Sequence, residues 1–260
     1  MIKLVSILSA LALSALVGCG SDGGGPLGTK DAGKLEIGSD IPYKPFEFGK
    51  PPYQGFDVDL TREIGKRIGL EPVFNKTPFD TIFRDLVQGK FDLVVSAVTV
   101  TPQRTKAVAF SQPYFQADQS LTVKRGSETK AVSQLSGKTV GVQLGTSGAE
   151  YAKDKVKGAT LRSFDLIDDA FQALESGQVD AVINDFAVSK VAEQSKPDLV
   201  VVQRIPTNEV YAMAFPKKNE ALRAKVNEAI TGIKRDGTYT RIYRKWFDSN
   251  PPAQILDTTS

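Results

Sequence analysis

The stretch Asp85-Leu-Val-Gln-Gly-Lys-Phe-Asp-Leu-Val-Val-Ser-Ala97 lies over Ala173-Leu-Glu-Ser-Gly-Gln-Val-Asp-Ala-Val-Ile-Asn-Asp185 without a gap. Gly89 matches Gly177 and Asp92 matches Asp180, and the polar ends Ser96 and Asn184 follow at equal spacing. Each copy reads as a helix, a glycine stop and a buried strand that finishes in polar residues. A unit used twice argues for two similar α/β lobes. In open α/β sheets ligands lie beyond the carboxyl ends of the strands. Both strand ends are therefore expected to face a shared cleft.

The flanking sequence extends the pattern. Leu35-Glu-Ile-Gly38 reads as a strand. Phe56 to Ile68 reads as a helix, with Phe56, Leu60, Ile64 and Ile68 four apart and Gly69 as a stop. Asp80 is expected to cap a helix carrying Ile82, Phe83, Leu86 and Val87, followed by Leu93-Val94-Val95 as a buried strand. Strands alternating with helices in this way imply an α/β protein with mainly parallel sheets.

Composition removes several functional classes. The chain has no His, which excludes Ser-His-Asp and Cys-His catalytic units and the commonest metal ligand. Its only cysteine is Cys19, so neither an intrachain disulfide nor a Cys-rich zinc site can form. The net charge is +3, or +2 once a leader whose one charge is Lys3 is removed, and the basic residues are spread along the chain. A nucleic-acid partner would call for a clustered basic face instead. Gly137-Lys138-Thr139 is not a phosphate loop, because the position five before Gly137 is Val132 and a strand follows. No metal ligands, cofactor or catalytic residues are read from the sequence.

Lys3, the apolar run Leu4 to Val17 and then Gly18-Cys19 have the build of a secretory leader, too short for a comfortable membrane span. The ending Leu16-Val17-Gly18-Cys19 resembles the lipobox of bacterial lipoproteins, which implies lipidation of Cys19 and a mature N-terminus there. The glycine-rich segment after it reads as a flexible tether, so that residues 19–33 would carry a domain starting near Lys34.

Five segments in order carry a family resemblance: Gly38-Ser-Asp-Ile-Pro-Tyr-Lys-Pro-Phe46, Gln54-Gly-Phe-Asp-Val-Asp-Leu60, Ser96-Ala-Val-Thr-Val-Thr-Pro-Gln-Arg104 with Ala109-Phe-Ser111, Val140-Gly-Val-Gln-Leu-Gly-Thr-Ser147 and Asp236-Gly-Thr-Tyr239. Together they resemble the family 3 extracellular solute-binding proteins, the polar amino-acid binding proteins of bacterial ABC importers. The resemblance implies two Rossmann-like lobes joined by a two-strand hinge, the type II periplasmic-binding-protein or Venus-flytrap fold, closing by hinge bending. Mapped onto this chain, it gives a leader over 1–18, lobe 1 over 34–115 plus 213–250, and lobe 2 over 120–208. The hinge strands fall at 116–119 and 209–212, with a tail over 251–260. It also implies a monomer outside the cytoplasm, tethered to the outer face of the membrane or held in the periplasm, whose partners are a free amino acid and the permease subunits.

A free amino acid brings a carboxylate and an ammonium, and each must be paired when the cleft excludes water. By the resemblance, Arg104 grips the α-carboxylate in a fork, with hydroxyls from Thr99 and Ser147. Asp185 pairs the α-ammonium, and the backbone carbonyl of Ala97 is a further acceptor. Tyr43 and Phe79 match aromatic walls around the ligand side chain. Asp40 and Gln143 match positions at its far end. An anionic Asp40 favours Arg, Lys or His, or the donor end of glutamine, and Gln143 does not break the tie. Two alternatives use the same fold: a cyclohexadienyl dehydratase, with Asp40 as the one candidate acid, and a ligand sensor feeding a membrane receptor.

Overall fold

The computed structural model describes residues 25–257, so the leader and Cys19 lie outside the described residues. Lobe 1 begins with strand β1 (Lys34–Ser39), helix α1 (Phe56–Ile68), β2 (Glu71–Lys76), α2 (Phe79–Val87), β3 (Leu93–Val94), α3 (Pro102–Ala107) and β4 (Ala109–Phe110). The chain then enters β5 (Phe115–Lys124), β6 (Thr139–Gln143), α4 (Ser147–Lys155), β7 (Thr160–Phe164), α5 (Ile167–Glu175), β8 (Ala181–Asp185), α6 (Phe186–Ser195) and β9 (Leu199–Tyr211). It returns to lobe 1 through β10 (Ala214–Phe215), α7 (Glu220–Arg235), α8 (Thr238–Phe247) and α9 (Ala253–Leu256).

Two five-stranded sheets result, ordered β2-β1-β3-β10-β4 and β7-β6-β8-β5-β9. They are mixed rather than mainly parallel. β1 pairs in parallel with β2 and β3, as β6 does with β7 and β8. β10 and β5 run antiparallel to their neighbours, because each carries the chain back across a lobe boundary.

Helix α1 buries Phe56, Leu60 and Ile64 along one stripe, with Asp57 and Asp59 in its first turn and Lys66 and Arg67 in its last, which suits the helix dipole. Helix α2 differs from expectation at its start. Its N-cap is Pro78, and Asp80 lies inside the first turn without a capping bond. There its charge still favours the positive end of the helix.

The sequence echo is a structural echo. Gly89 and Gly177 both take left-handed backbone, with φ of 78° and 75°, and glycine does so at no steric cost. Asp92 donates its backbone N–H to Glu36 O and accepts the Glu36 N–H on its carboxylate, both at 2.8 Å. Asp180 does the same with Thr139, at 2.8 and 2.7 Å. Each aspartate thus docks its strand beside β1 or β6. The strand ends that follow, Ser96–Ala97 and Asn184–Asp185, come to lie on the same side as the ends of β1 and β6.

Two expected loose segments are shorter than the sequence suggests. Leu27 packs on the main core, Thr29 is buried, and Lys30 N donates to Asp92 Oδ1 at 2.7 Å, so residues 25–33 lie against lobe 1. At the other end, Ile255 of α9 is buried in the same core, which fixes the first part of the 251–260 tail. Both segments cover apolar surface that a free tether would leave wet.

β5 and β9 pair from Phe115↔Tyr211 through Ala117↔Glu209, then shift register so that Gln119 faces Ile205. The Asp118 carboxylate holds this irregularity by accepting from Thr207 N, Asn208 N and Arg204 Nε. Below it, Phe115 stacks on Tyr211 with ring centres 5.3 Å apart, within an aromatic cluster including Phe46, Phe56, Tyr243 and Phe247. The base of the crossing is therefore rigid and its change of register sits immediately above.

Candidate functional site

The narrow space between the lobes is lined by Asp40, Tyr43, Phe79, Ala97, Thr99, Arg104, Gln143, Ser147 and Asp185, with Ser96 and Thr146 beside them. The first nine are the residues singled out in the sequence; Ser96 and Thr146 were not.

Lobe 1 supplies Arg104 from α3. Thr101 caps that helix, its Oγ1 accepting from Arg104 N at 3.2 Å, which fixes the backbone that carries the guanidinium. The guanidinium lies over the rings of Phe79 and Phe83, 5.2 and 4.9 Å from their centres. It donates to Thr99 O at 2.7 Å and across the cleft to Gly145 O at 3.0 Å. Burial pulls its pKa below the ordinary value, opposed by Glu150, Asp185 and Glu209. Facing it, Thr146 caps α4 by accepting from Ala149 N at 3.1 Å. Ser147 is thus the first residue of α4, at a helix end that favours anions.

Asp185 ends β8 and is almost fully enclosed. It accepts from Tyr43 Oη at 2.5 Å, Tyr211 Oη at 2.6 Å and Gln119 Nε2 at 2.6 Å. Burial, then the charge of Glu209, push its carboxyl up to about 6, against the pull of those three donors. At the far end, Asp40 accepts from Gln143 Nε2 at 2.6 Å, and Gln143 also donates to Asp165 O at 3.0 Å. Burial pushes Asp40 up to about 7, with Gln143 and Lys76 pulling it down.

The floor rests on a buried pair of acids. Ser96 Oγ accepts from Asp40 N and donates to Glu47 Oε1, at 2.9 and 2.8 Å. Asp57 Oδ2 accepts from Ala97 N at 2.9 Å, holding that residue at φ 45°, an uncommon conformation for a side chain with a Cβ. Among the described residues, Glu47 Oε2 and Asp57 Oδ1 are buried without a hydrogen-bond partner, and Asp57 Oδ2 also accepts from Tyr114 Oη at 2.8 Å. Burial and the neighbouring Asp57 raise Glu47 well above its usual range.

Four direct bonds close the cavity: Tyr43 to Asp185 and Asn184, Gln143 to Asp40, and Arg104 to Gly145. Thr99 Oγ1 and Ser147 Oγ add a hydroxyl contact at 3.2 Å. The arrangement offers a cation and a helix N-terminus on one side, a buried carboxylate on another, flat aromatic walls, and a second carboxyl at the far end.

A family model described as bacterial extracellular solute-binding proteins, family 3, matches residues 35–249. Over 227 residues the chain is 32% identical to the ABC transporter arginine-binding protein 1 of Escherichia coli, covering 85% of this chain and 93% of the relative. It is 30% identical to the ABC transporter glutamine-binding protein GlnH of Bacillus subtilis, covering 95% and 97%. Among solved structures, an ancestral arginine-binding protein bound to arginine aligns with a TM-score of 0.80 at 39% identity, over 83% of this chain and 98% of that one.

Proposed function

The chain belongs to the bacterial extracellular solute-binding proteins of family 3, and from that premise we propose that it captures a free basic L-amino acid, with glutamine the next choice, and delivers it to an ABC importer. The observation that carries the reading is the pairing of opposite charges across one closed cavity. Arg104 and the N-terminus of α4 suit an α-carboxylate, and Asp185 with the Ala97 carbonyl suits an α-ammonium a short distance away. Each charge of a zwitterion has its partner, which a desolvated site requires. Tyr43 and Phe79 wall the side chain. Asp40, held by Gln143, lies where a guanidinium, ammonium or imidazolium would end.

Residues 116–119 and 209–212 act as the hinge, so that lobe 2 brings Ser147 and Asp185 onto a ligand already seated on lobe 1. The protein works as a monomer outside the cytoplasm, held to the outer face of the membrane by lipid on Cys19, with permease subunits as its receptor. No helix among the described residues is long and apolar enough to cross a membrane.

The relatives named above are binding proteins, and no residue here is assigned a catalytic role. The raised pKa of Asp40 is the single feature a dehydratase would share. Incubation with prephenate or arogenate decides that point, and no product is expected.

The test of the binding function is a thermal-shift screen with the twenty common amino acids. Binding to the folded form alone adds about 2.7 kcal/mol at a hundredfold excess over Kd. Arginine is expected to give the largest shift, with lysine, histidine or glutamine behind it. A chain stabilised by none of the twenty would overturn the reading.

A further inference from the structure

Basic residues that are spread along the sequence gather on one face of lobe 1. Helix α1 exposes Arg62, Lys66 and Arg67, and α8, which contains no acidic residue, exposes Arg241 and Lys245. Arg62, Lys66, Arg241 and Lys245 border one surface depression together with Asp59 and Glu63. Arg67 continues the face by pairing with Asp236, just before α8, at 2.6 Å.

The acids of this face are outnumbered. Asp59 pairs with Lys245 at 2.6 Å and more loosely with Arg62 at 3.9 Å. Glu63 and Asp236 both pair with Arg67. Among the described residues, Lys66 and Arg241 have no acidic partner in ion-pair range, and Arg241 donates to the Thr238 hydroxyl instead. Five cations against three acids leave two positive charges, as many as the whole chain carries once Lys3 is gone. The rest of the molecule is neutral in sum.

The face also lies where the tether arrives. Pro26, Leu27 and Gly33 share a second depression with Arg67, Ile68 and Lys225. Cys19 precedes Gly25 by six residues, a covalent reach of at most about 20 Å. From Arg67 back to Arg62, α1 rises only about 8 Å. A lipid on Cys19 would hold the whole face within reach of the bilayer.

We propose that the α1–α8 face of lobe 1 rests on anionic headgroups of the bilayer that holds the lipid anchor. This rests on the anchored reading given above and adds an orientation to it. Lys66 and Arg241, free of acidic partners, meet the lipid phosphates, with Arg62, Arg67 and Lys245 beside them. None of the cleft-lining residues belongs to this face, so the cleft stays open to solvent while the lobe is docked. Each cation near an anionic surface strengthens the contact roughly fivefold. A net charge of this size gives a reversible contact that salt screens, so the protein can leave the surface for the permease.

The experiment uses the lipidated full chain on vesicles carrying a dansyl-labelled headgroup, made of phosphatidylcholine alone or of phosphatidylcholine and phosphatidylglycerol in equal parts. Trp246, the chain's one tryptophan, borders the face through its Nε1 bond to Asp59 at 2.8 Å and serves as the energy-transfer donor. Transfer is expected to be higher on the anionic vesicles and to fall to the neutral level in about 1 M salt, where the screening length is about 3 Å. The double variant Lys66→Glu, Arg241→Glu should lower the docked-to-undocked ratio roughly twentyfold or more. Its amino-acid thermal shift should match the parent's, which shows that the fold and the cleft are intact. Equal transfer on the two vesicle types, or a double variant that transfers like the parent, overturns the docked face while leaving the anchor standing. Mass spectrometry of the full chain reads the anchor separately: an unlipidated Cys19 overturns the anchored reading, and this inference with it.

Discussion

Tyr43, in the loop after β1, donates its phenolic O–H to Asp185 at the end of β8, so one 2.5 Å hydrogen bond ties the two lobes directly across the cavity. The bond exists only when the lobes are shut. Tyr43→Phe keeps the aromatic wall and removes it. Hydrogen bonds to charged groups contribute about 1.5–3 kcal/mol, so amino-acid affinity should fall roughly tenfold or more. Tyr43→Ala should bind more weakly still, because the wall goes too. Calorimetry on both variants measures this, and equal affinity for Tyr43→Phe and the parent would mean the bond is absent from the bound state.

Closure without ligand should depend on pH. Asp185 and Asp40 titrate near 6 and 7 in the closed cleft, against an ordinary value of 3.8. A raised pKa in the closed form favours closure while the carboxyls are protonated. That contribution is complete below about pH 4 and is lost as pH rises through about 6 and then 7. The ligand-free protein should therefore be more closed at pH 5 than at pH 8, read by small-angle scattering or by distance between spin labels on the two lobes. Saturating arginine supplies positive partners and should hold the cleft shut at both. An identical ligand-free profile at the two pH values would contradict the burial of these groups.

Much of this was legible because it is periodic or repeated. Helix α1 follows from Phe56, Leu60 and Ile64, and the copies around Asp92 and Asp180 place two strand ends at one cleft. What the sequence hid is relational. Glu209 stands in a crossing strand and looks like any hinge residue, since its contacts with Thr99 and Ser147 span 110 and 62 residues. The Glu47–Asp57 pair is equally silent, because two acids read as surface residues until the fold buries them together. Ser96 was visible as a polar strand end but not as the link between Asp40 and Glu47. Thr146 carried a usable signal: a threonine before a helix is a natural cap. The antiparallel β5 and β10 escaped notice because alternation of strand and helix does not record where the chain changes lobes.

Asp40→Asn should separate the two ligand classes. A guanidinium loses a charge interaction, whereas the amide of glutamine loses only hydrogen-bond strength. Arginine affinity should drop much further than glutamine affinity, and glutamine could become the better ligand. The asparagine can still meet Gln143, so the floor around Ser96 is retained. Equal losses for both amino acids would make Asp40 a structural residue and remove the argument for a basic ligand.

Cys19→Ala should release the protein from the membrane fraction without touching the cleft. Two or more acyl chains are needed for stable anchoring, at about 0.8 kcal/mol per buried methylene, and loss of the thiol removes the attachment point. Ligand affinity of the released protein should equal that of the parent, since the cleft residues run from Asp40 to Asp185. Cell fractionation with immunoblotting decides it: a variant that remains fully membrane-bound would refute the anchor.

Arg104→Ala tests the central assignment. Among the described residues the guanidinium is the only cation lining the cavity, and its removal leaves an α-carboxylate shut in without its partner. Truncating one member of a buried charge pair costs roughly 2–5 kcal/mol, so affinity should fall by a factor between about thirty and several thousand. Part of the loss comes from elsewhere, because Arg104 also bonds Gly145 across the cleft and packs on Phe79 and Phe83. An amide control separates the contributions. L-argininamide has no carboxylate, so it loses only the closure and packing share, while arginine loses that share and the ion pair. The ratio of the two losses measures the pair itself. The fold should survive, since α3 has no buried residue and is set by its Thr101 cap rather than by this side chain. Circular dichroism of the variant checks that. If Arg104→Ala stays folded and binds arginine within about threefold of the parent, the carboxylate is held elsewhere and the zwitterion reading of the cleft fails.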